Sequence, residues 1–308
     1  MAAGYAAHMR ILLTGSSGWL GRNLAPRLMT AGHDVAGLDV VPGPFTGFVG
    51  SVADRAAVDR AMEGVTAVIH AGALHKPDII RQPASAFIAV NVQGTQNLLE
   101  AAMVAGVDRF VFTSTTSLMI SKAIRAGRAG GARMATWITE DLPPEPRNIY
   151  GITKLAAEHL CRLAHAEHGL PCVVLRTGRF FPEEDDMAHA IEQSDDNTKA
   201  NEFLHRRLTV EDCAAAHIAA LDRAPELGFD IFIISAPTPF VPEDCQALIE
   251  DAPSVVERYF PEYPKLYARK GWTMFRSIDR VYSARRAEER LGFRCRTGFA
   301  EVLESLRS

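Results

Sequence analysis

Short apolar runs closed by polar or glycine-rich turns alternate along this chain with longer stretches whose apolar positions recur at helical spacing. The run Arg10-Ile-Leu-Leu-Thr14 has the profile of a buried parallel strand. Gly15-Ser-Ser-Gly18-Trp-Leu-Gly21 follows it, and helical character extends from Arg22 to Ala31, with Pro26 in the early turns. Val35 to Asp39, Ala67 to His70 and Arg109 to Thr113 give three more strands. Asp54 to Met62 and Phe87 to Ala105 are expected as amphipathic helices between them, and another helix runs from Tyr150 to about His168. Leu175-Arg176 lies in a later strand, Val210 to Arg223 returns to the core, and Phe229 to Ser235 adds a further strand. Strands alternating with helices imply a parallel sheet with right-handed crossovers.

A chain of 308 residues with 47% hydrophobic content buries a large core, as one α/β domain or as a domain with a smaller lobe. A formal charge of −4 gives no electrostatic reason to expect nucleic acid or an anionic membrane as partner. No apolar run approaches the roughly 20 residues that span a bilayer. Met1 to His8 lacks the pattern of a secretory signal and precedes Met9 and the first strand, so it is expected to be a leader or tag remnant. Cys161, Cys172, Cys213, Cys245 and Cys295 are scattered and odd in number, which fits reduced thiols in the cytoplasm better than disulfides or a zinc site. The acidic stretch Glu183 to Asp186, extended by Ser194 to Asn201, is expected as a solvated loop, and no metal site is expected.

The glycine spacing gains its meaning from its place between a strand and a helix, with a carboxylate at the end of the next strand. Gly15 permits a tight turn, Gly18 lets helix-start amides approach a pyrophosphate, and Gly21 allows close packing of helix on strand. Asp39 is suited to accept both ribose hydroxyls of an adenosine. It would repel a 2′-phosphate, and Val40, Val41 and Pro42 bring no cation to offset that, so NAD is expected over NADP. Tyr150 and Lys154 stand four apart on one helical face. An ammonium near a phenol favours phenolate, and such a tyrosine takes a proton from a secondary alcohol as hydride leaves its carbon.

With these motifs stand Val68-Ile-His70-Ala-Gly-Ala73, Asn91-Val-Gln-Gly-Thr95, Phe110-Val-Phe-Thr-Ser-Thr115, Leu175-Arg176, Val210-Glu-Asp212 and Ala284 to Phe293. Together they make the chain resemble, over nearly its whole length, the extended short-chain dehydrogenase/reductase family. That family is also called the NAD-dependent epimerase/dehydratase family, and it includes UDP-galactose 4-epimerase-like enzymes. The resemblance implies a Rossmann-type doubly wound parallel sheet over residues 9–178, with 205–235 returning to it. It also implies a smaller substrate-binding lobe mainly over 179–308. It makes Thr115 the hydroxyl that polarises the substrate oxygen, with Ser114 and Thr116 as substitutes, Tyr150 the acid or base, and Lys154 its tuner and a ligand of the nicotinamide ribose. Trp19 and Leu20 would contact the pyrophosphate, Ser51 and Val52 the adenine, and Ala71, Gly72 and Ala73 the nicotinamide-side ribose. Asn91 would organise the strand ends, and Thr113 and Gly178 would complete the cofactor contacts. A homodimer through the helices that carry Asn91 and Tyr150 is implied as well.

Departures from the family pattern sharpen the expected chemistry. Thr116 and Ser117 follow the active threonine where dehydratases carry Asp-Glu, which disfavours dehydration. Arg179 replaces an asparagine, His205 replaces an arginine with Arg206 and Arg207 beside it, and no arginine-rich clamp is recognisable before Asp279. A nucleotide-linked substrate is therefore disfavoured, and a smaller sugar, sugar acid or alcohol is expected. Arg179 admits an anionic substrate or else pairs with Glu183 or Asp185, and His75 is within reach of the substrate. The polar connection from Ser117 to Tyr150, with Arg125, Arg128 and Arg133, is either a cationic flap or a solvated loop. The expected function is an NAD-dependent oxidoreductase acting at a secondary alcohol. The alternatives are an NAD-retaining epimerase and a non-catalytic NAD-binding redox sensor.

Overall fold

The computed structural model of the chain describes residues 8–126, 133–180 and 194–307. All of the expected leader except His8, together with Arg128 and the Glu183 to Asp186 stretch, lies outside the described residues. In chain order the elements are β1 (Arg10–Thr14), α1 (Trp19–Thr30), β2 (Asp34–Asp39), β3 (Phe48–Val49), α2 (Arg55–Ala61), β4 (Ala67–His70), α3 (Ala84–Phe87), α4 (Gly94–Ala105) and β5 (Arg109–Thr115). They continue with α5 (Lys122–Ala126), β6 (Thr136–Ile138), α6 (Ile149–His168), β7 (Cys172–Thr177), α7 (Asp195–Glu202), α8 (Val210–Leu227) and β8 (Phe229–Ile234). The last are α9 (Cys245–Glu250), α10 (Ala252–Tyr259), α11 (Tyr263–Lys270), β9 (Arg280–Tyr282) and α12 (Phe299–Ser305).

Seven strands form one sheet in the order β3-β2-β1-β4-β5-β7-β8. The β2–β3, β1–β2, β1–β4 and β4–β5 pairings are all parallel. Ile11, Leu12, Leu13, Val68, Ile69, Val111 and Phe112 are fully buried, as expected for central strands covered on both faces. Strand order reverses between β1 and β4, where Thr14 stands in register with His70. This is a Rossmann-type doubly wound sheet, and the crevice at such a reversal is where the fold binds ligands.

The chain divides into two compact units. One holds the chain up to Thr115 with Asn148–Arg176 and Cys213–Phe232, around a core that includes Leu12, Val68, Leu98, Phe110 and Val174. The other holds the described parts of Thr116–Arg147 and Thr177–Asp212 and the chain from Ile233 onward, around Leu204, Leu248, Val256, Tyr267 and Phe299.

Two segments differ from expectation. The stretch Ser194 to Asn201 is not a loop, because α7 begins at Asp195, with Ser194 Oγ accepting from the Asn197 amide as its cap. This helix has no apolar stripe, and polar contacts hold it in place of one. Asn197 and Asn201 are buried, each donates to the Thr273 carbonyl at 2.9 Å, and Asn201 accepts from Tyr267 Oη. The connection before Tyr150 also carries structure, since α5 contains Arg125 and β6 pairs in parallel with β9. Arg125 and Arg133 are both exposed.

Candidate active site

The turn from β1 to α1 is built on backbone-to-backbone contact. Gly15 has φ +73°, and a Cβ there would lie 2.8 Å from the Gly72 nitrogen. A Cβ on Gly21 would lie 2.2 Å from the Gly15 carbonyl oxygen, so only glycine lets α1 close onto the turn. Helix α1 starts at Trp19, earlier than the apolar spacing indicates, so Leu20 and Gly21 belong to its first turn. Leu20 is buried and Trp19 is exposed. No side chain caps the helix at Gly18, and its first turn holds no acidic residue. Its amide end, which carries the positive pole of the helix dipole, is thus uncapped by protein side chains.

Asp39 sits beside this turn, half-buried, with Oδ2 accepting from the Ser17 amide at 3.0 Å and Oδ1 from the Val41 amide at 2.9 Å. The carboxylate therefore shapes the glycine turn as well as presenting its remaining lone pairs. Ser51 Oγ accepts from the Ala53 amide, and Val52 is buried, with its carbonyl accepting from Asn97.

At the strand reversal the hydrogen bonds run in one direction. The Gly72 amide donates to Thr14 Oγ1 at 3.0 Å, and Thr14 Oγ1 lies 2.7 Å from His70 Nδ1. On the far side of the ring, Nε2 lies 3.0 Å from Thr95 Oγ1, which donates to the Asn91 carbonyl. Thr95 thus has its hydrogen committed and accepts from Nε2–H, leaving Nδ1 to accept from Thr14. Only a neutral imidazole satisfies both sides, and burial, then the nearby Lys154, holds the His70 pKa well below its ordinary value. Asn91 lies in a π-helical turn, Ile88–Gln93. It accepts from the Leu74 amide and donates to the Leu74 carbonyl and to Thr153 Oγ1. It thereby ties the loop after β4, which holds Ala71, Gly72 and Ala73, to the helix that carries Tyr150.

Helix α6 is capped by Asn148, whose side chain accepts from the Gly151 amide. Near its start, buried Tyr150 is hydrogen-bonded to Thr115 at the end of β5. Burial pushes this phenol up to about 12, the Thr115 bond opposing it. The phenol pKa is thus raised where the four-residue spacing leads to the expectation of a lowered one, because burial outweighs the Thr115 bond. Burial also pushes the Lys154 ammonium down to about 7, with Glu158 opposing. Lys154 Nζ donates to the Thr113 carbonyl at 2.8 Å and lies 4.6 Å from the Phe112 ring centre. Thr113 Oγ1 is 2.7 Å from His217 Nε2, and His217 Nδ1 lies 2.7 Å from the Cys213 carbonyl oxygen. The His75 ring lies 6.0 Å from the Tyr150 ring, and burial takes its pKa down to about 4.

Ser114 does not stand in for Thr115. Its hydroxyl donates to Glu158 Oε1 at 2.5 Å, and Arg176 closes on the same carboxylate at 2.7 Å. Glu158 and His217 were not singled out from sequence. The signal for Glu158 was present, since it follows Lys154 by four residues on the same helix; His217 has no local signal.

Three expected site residues belong to the other unit. Thr116 is buried and donates to the Thr177 carbonyl at 3.2 Å. The Gly178 amide donates to the Ile234 carbonyl, and a Cβ there would meet the Arg206 carbonyl oxygen at 2.8 Å. Arg179 bonds Glu202 at 3.3 Å; its suggested partners Glu183 and Asp185 lie outside the described residues. Among the described residues no group of three or more His, Cys, Asp or Glu is placed to hold a metal ion.

The Lys154 shift has a measurable consequence for stability. Between pH 7 and the ordinary lysine value of 10.5, the unfolded chain binds this proton and the folded chain does not. Stability contributed at this site therefore rises with pH across that window. Unfolding free energies of the protein and of Lys154→Met, compared at pH 7 and pH 9.5, should shift in favour of the unsubstituted protein as pH rises. A difference that stays constant would contradict the depressed ammonium.

Comparison with known proteins places this geometry in a family. The family model described as "NAD dependent epimerase/dehydratase family" matches residues 11–234. A 3-beta-hydroxysteroid dehydrogenase of Mycolicibacterium neoaurum is 31% identical over 182 residues, covering 55% of this chain and 47% of that protein. A UDP-glucose 4-epimerase of Azospirillum brasilense is 32% identical over 182 residues, covering 56% of this chain and 49% of that protein. The matched stretch thus spans about half the length of these curated relatives. A short-chain dehydrogenase/reductase superfamily protein from Agrobacterium tumefaciens, solved with bound NAD, is 25% identical with a TM-score of 0.66, covering 96% of this chain and 95% of that one. The chain belongs to the NAD dependent epimerase/dehydratase family, within the short-chain dehydrogenase/reductase superfamily, and NAD is the cofactor of that family.

Proposed function

We propose that this protein is an NAD-dependent oxidoreductase that transfers hydride at a secondary alcohol of a sugar, a sugar acid or a similar small polyol. The observation that carries this reading is the hydrogen bond between Thr115 and Tyr150, with the buried Lys154 one turn further along α6.

The residues present fit the cofactor. The uncapped amide end of α1 and the glycine turn suit a pyrophosphate, and Asp39 suits the adenosine ribose hydroxyls. Trp19, Leu20, Ser51, Val52, Ala71, Gly72, Ala73, Asn91, Thr113 and Gly178 complete the proposed cofactor contacts, and Lys154 also serves the nicotinamide ribose. NAD, when bound, supplies the hydride acceptor. Thr115 Oγ1 holds the alcohol oxygen, using both its donor and its acceptor capacity. Tyr150 Oη takes the alcohol proton; the Thr115 bond favours the phenolate that this requires, and the charged form of Lys154 adds to it. His75 and Thr116 are proposed to touch the substrate.

The same first step serves an epimerase, which re-reduces its intermediate before releasing NADH. A dehydrogenase reading is preferred because the positions that grip a nucleotide-sugar diphosphate are altered to Arg179 and His205. A homodimer is proposed through the helices carrying Asn91 and Tyr150, where Ile88, Val104, Ile152 and Leu163 leave apolar side chains exposed. A cytoplasmic location is proposed because all five cysteines are buried and free.

A screen of sugars, uronates and hydroxy acids with NAD, followed by NADH absorbance, tests the reading. Net NADH from at least one secondary alcohol is expected. Conversion of a sugar to its epimer without net NADH would assign the epimerase instead, and neither product from any class would overturn both. Cofactor choice gives a second test. Asp39 should make NAD bind at least about tenfold better than NADP, or about 1.4 kcal/mol. Asp39→Ala should narrow that gap while weakening NAD as well, because the Ser17 and Val41 amides lose their acceptor. Equal affinities for the two cofactors in calorimetric titration of the unsubstituted protein would sink the assignment.

A further inference from the structure

Beside the glycine turn, the hydroxyls of Ser16, Ser17 and Thr46 and the Val41 carbonyl form a chain of hydrogen bonds whose direction is fixed. Ser17 Oγ donates its one hydrogen to the Val41 carbonyl at 2.7 Å. The 2.7 Å bond between Ser17 Oγ and Thr46 Oγ1 must therefore take its hydrogen from Thr46. That leaves Thr46 Oγ1 as the acceptor of the 2.6 Å bond from buried Ser16. The chain thus runs from Ser16 through Thr46 and Ser17 to Val41, and every hydroxyl hydrogen in it is used.

These bonds fasten the connection between β2 and β3, residues 40–47, onto the glycine turn. The backbone is packed just as closely. A Cβ on Gly37 would lie 1.8 Å from the Phe45 carbonyl oxygen, and one on Gly43 would lie 2.4 Å from Ser17 Oγ. The Thr46 amide donates to the Gly43 carbonyl at 3.1 Å and closes a turn. Asp39 stands between the two parts so joined, accepting from the Ser17 amide on one oxygen and the Val41 amide on the other. The two residues that orient the carboxylate are the same two that Ser17 Oγ ties together.

NAD and NADP differ at the 2′ oxygen of the adenosine ribose, a hydroxyl in one and a phosphate ester in the other. Asp39 selects between them as long as its carboxylate stays where that phosphate would lie. A carboxylate able to swing aside would relieve the repulsion of NADP and lose its pre-arranged bonds to the ribose of NAD. We propose that Thr46 and Ser17 are positioning residues that hold the Asp39 carboxylate in place, so that the preference for NAD over NADP depends on their hydroxyls. Their role rests on the assignment of Asp39 as the group that meets the adenosine ribose.

Calorimetric titrations of the full chain with NAD and with NADP measure the preference, and melting temperature reports whether each variant folds. Thr46→Val removes the central oxygen and keeps the shape, while Ser17→Ala removes the link to Val41 and keeps the amide that Asp39 accepts from. Each is expected to cut the preference for NAD about threefold or more, whereas Thr46→Ser should retain it. Added to Asp39→Ala, Thr46→Val should leave the preference where Asp39→Ala alone puts it, because Thr46 acts through that carboxylate. A purely structural role would weaken both cofactors in proportion and leave their ratio unchanged. That result in both folded variants, with Asp39→Ala still lowering the ratio, would overturn the positioning role and keep the Asp39 assignment. A further fall in the ratio on the Asp39→Ala background would overturn it as well. Equal binding of NAD and NADP by the unsubstituted chain would remove the Asp39 assignment and the positioning role together.

Discussion

Lys154 carries an amine that is charged in water into a place where burial pulls its pKa down to about 7, and its neighbours are arranged around that penalty. The Thr113 carbonyl accepts its hydrogen bond, the Phe112 ring lies against it, and Glu158 one turn along α6 supplies the opposing charge. Glu158 is itself buried, so Arg176 and Ser114 must satisfy it. The end of β5 is thereby divided among three tasks. The Thr113 carbonyl serves the lysine, Ser114 serves the glutamate, and Thr115 remains to meet Tyr150. Successive residues of a strand point to opposite faces, which is why adjacent hydroxyls can be assigned so differently.

A second constraint acts at the strand reversal. The backbones of Gly15 and Gly72 approach too closely for a side chain at Gly15. The chain of bonds from Gly72 through Thr14, His70 and Thr95 to Asn91 fixes that approach with a single imidazole tautomer. His70 is the last residue of β4. Its place between the two loops makes it the link that holds them in register.

How much of this was legible depended on whether a feature is local. The strand, glycine turn and helix at Gly15 to Gly21, Asp39 at the end of β2, and the Tyr150–Lys154 spacing are short-range patterns, and they identify the elements that carry them. The α7 helix was not legible, because Asp-Asp-Asn-Thr-Lys-Ala-Asn-Glu has no apolar period and its buried polar side chains are satisfied by distant Tyr267 and Thr273. Arg206 and Arg207 follow Glu202 closely in the chain, but the approach of Arg179 to the same carboxylate, from 23 residues upstream, is a matter of fold rather than spacing. The phenol pKa was misjudged for a related reason, since spacing reports a neighbouring charge and says nothing about how thoroughly water is removed.

The central claim is that the Tyr150 hydroxyl moves the proton that accompanies hydride transfer. Tyr150→Phe removes that oxygen and keeps the ring, so the decisive measurement pairs its rate of NADH formation with its affinity for NAD. The account predicts NAD affinity close to that of the unsubstituted protein and a rate lower by about 10²–10⁴-fold, the range of a general acid–base group. A variant that keeps full activity, with NAD bound as before, would contradict it.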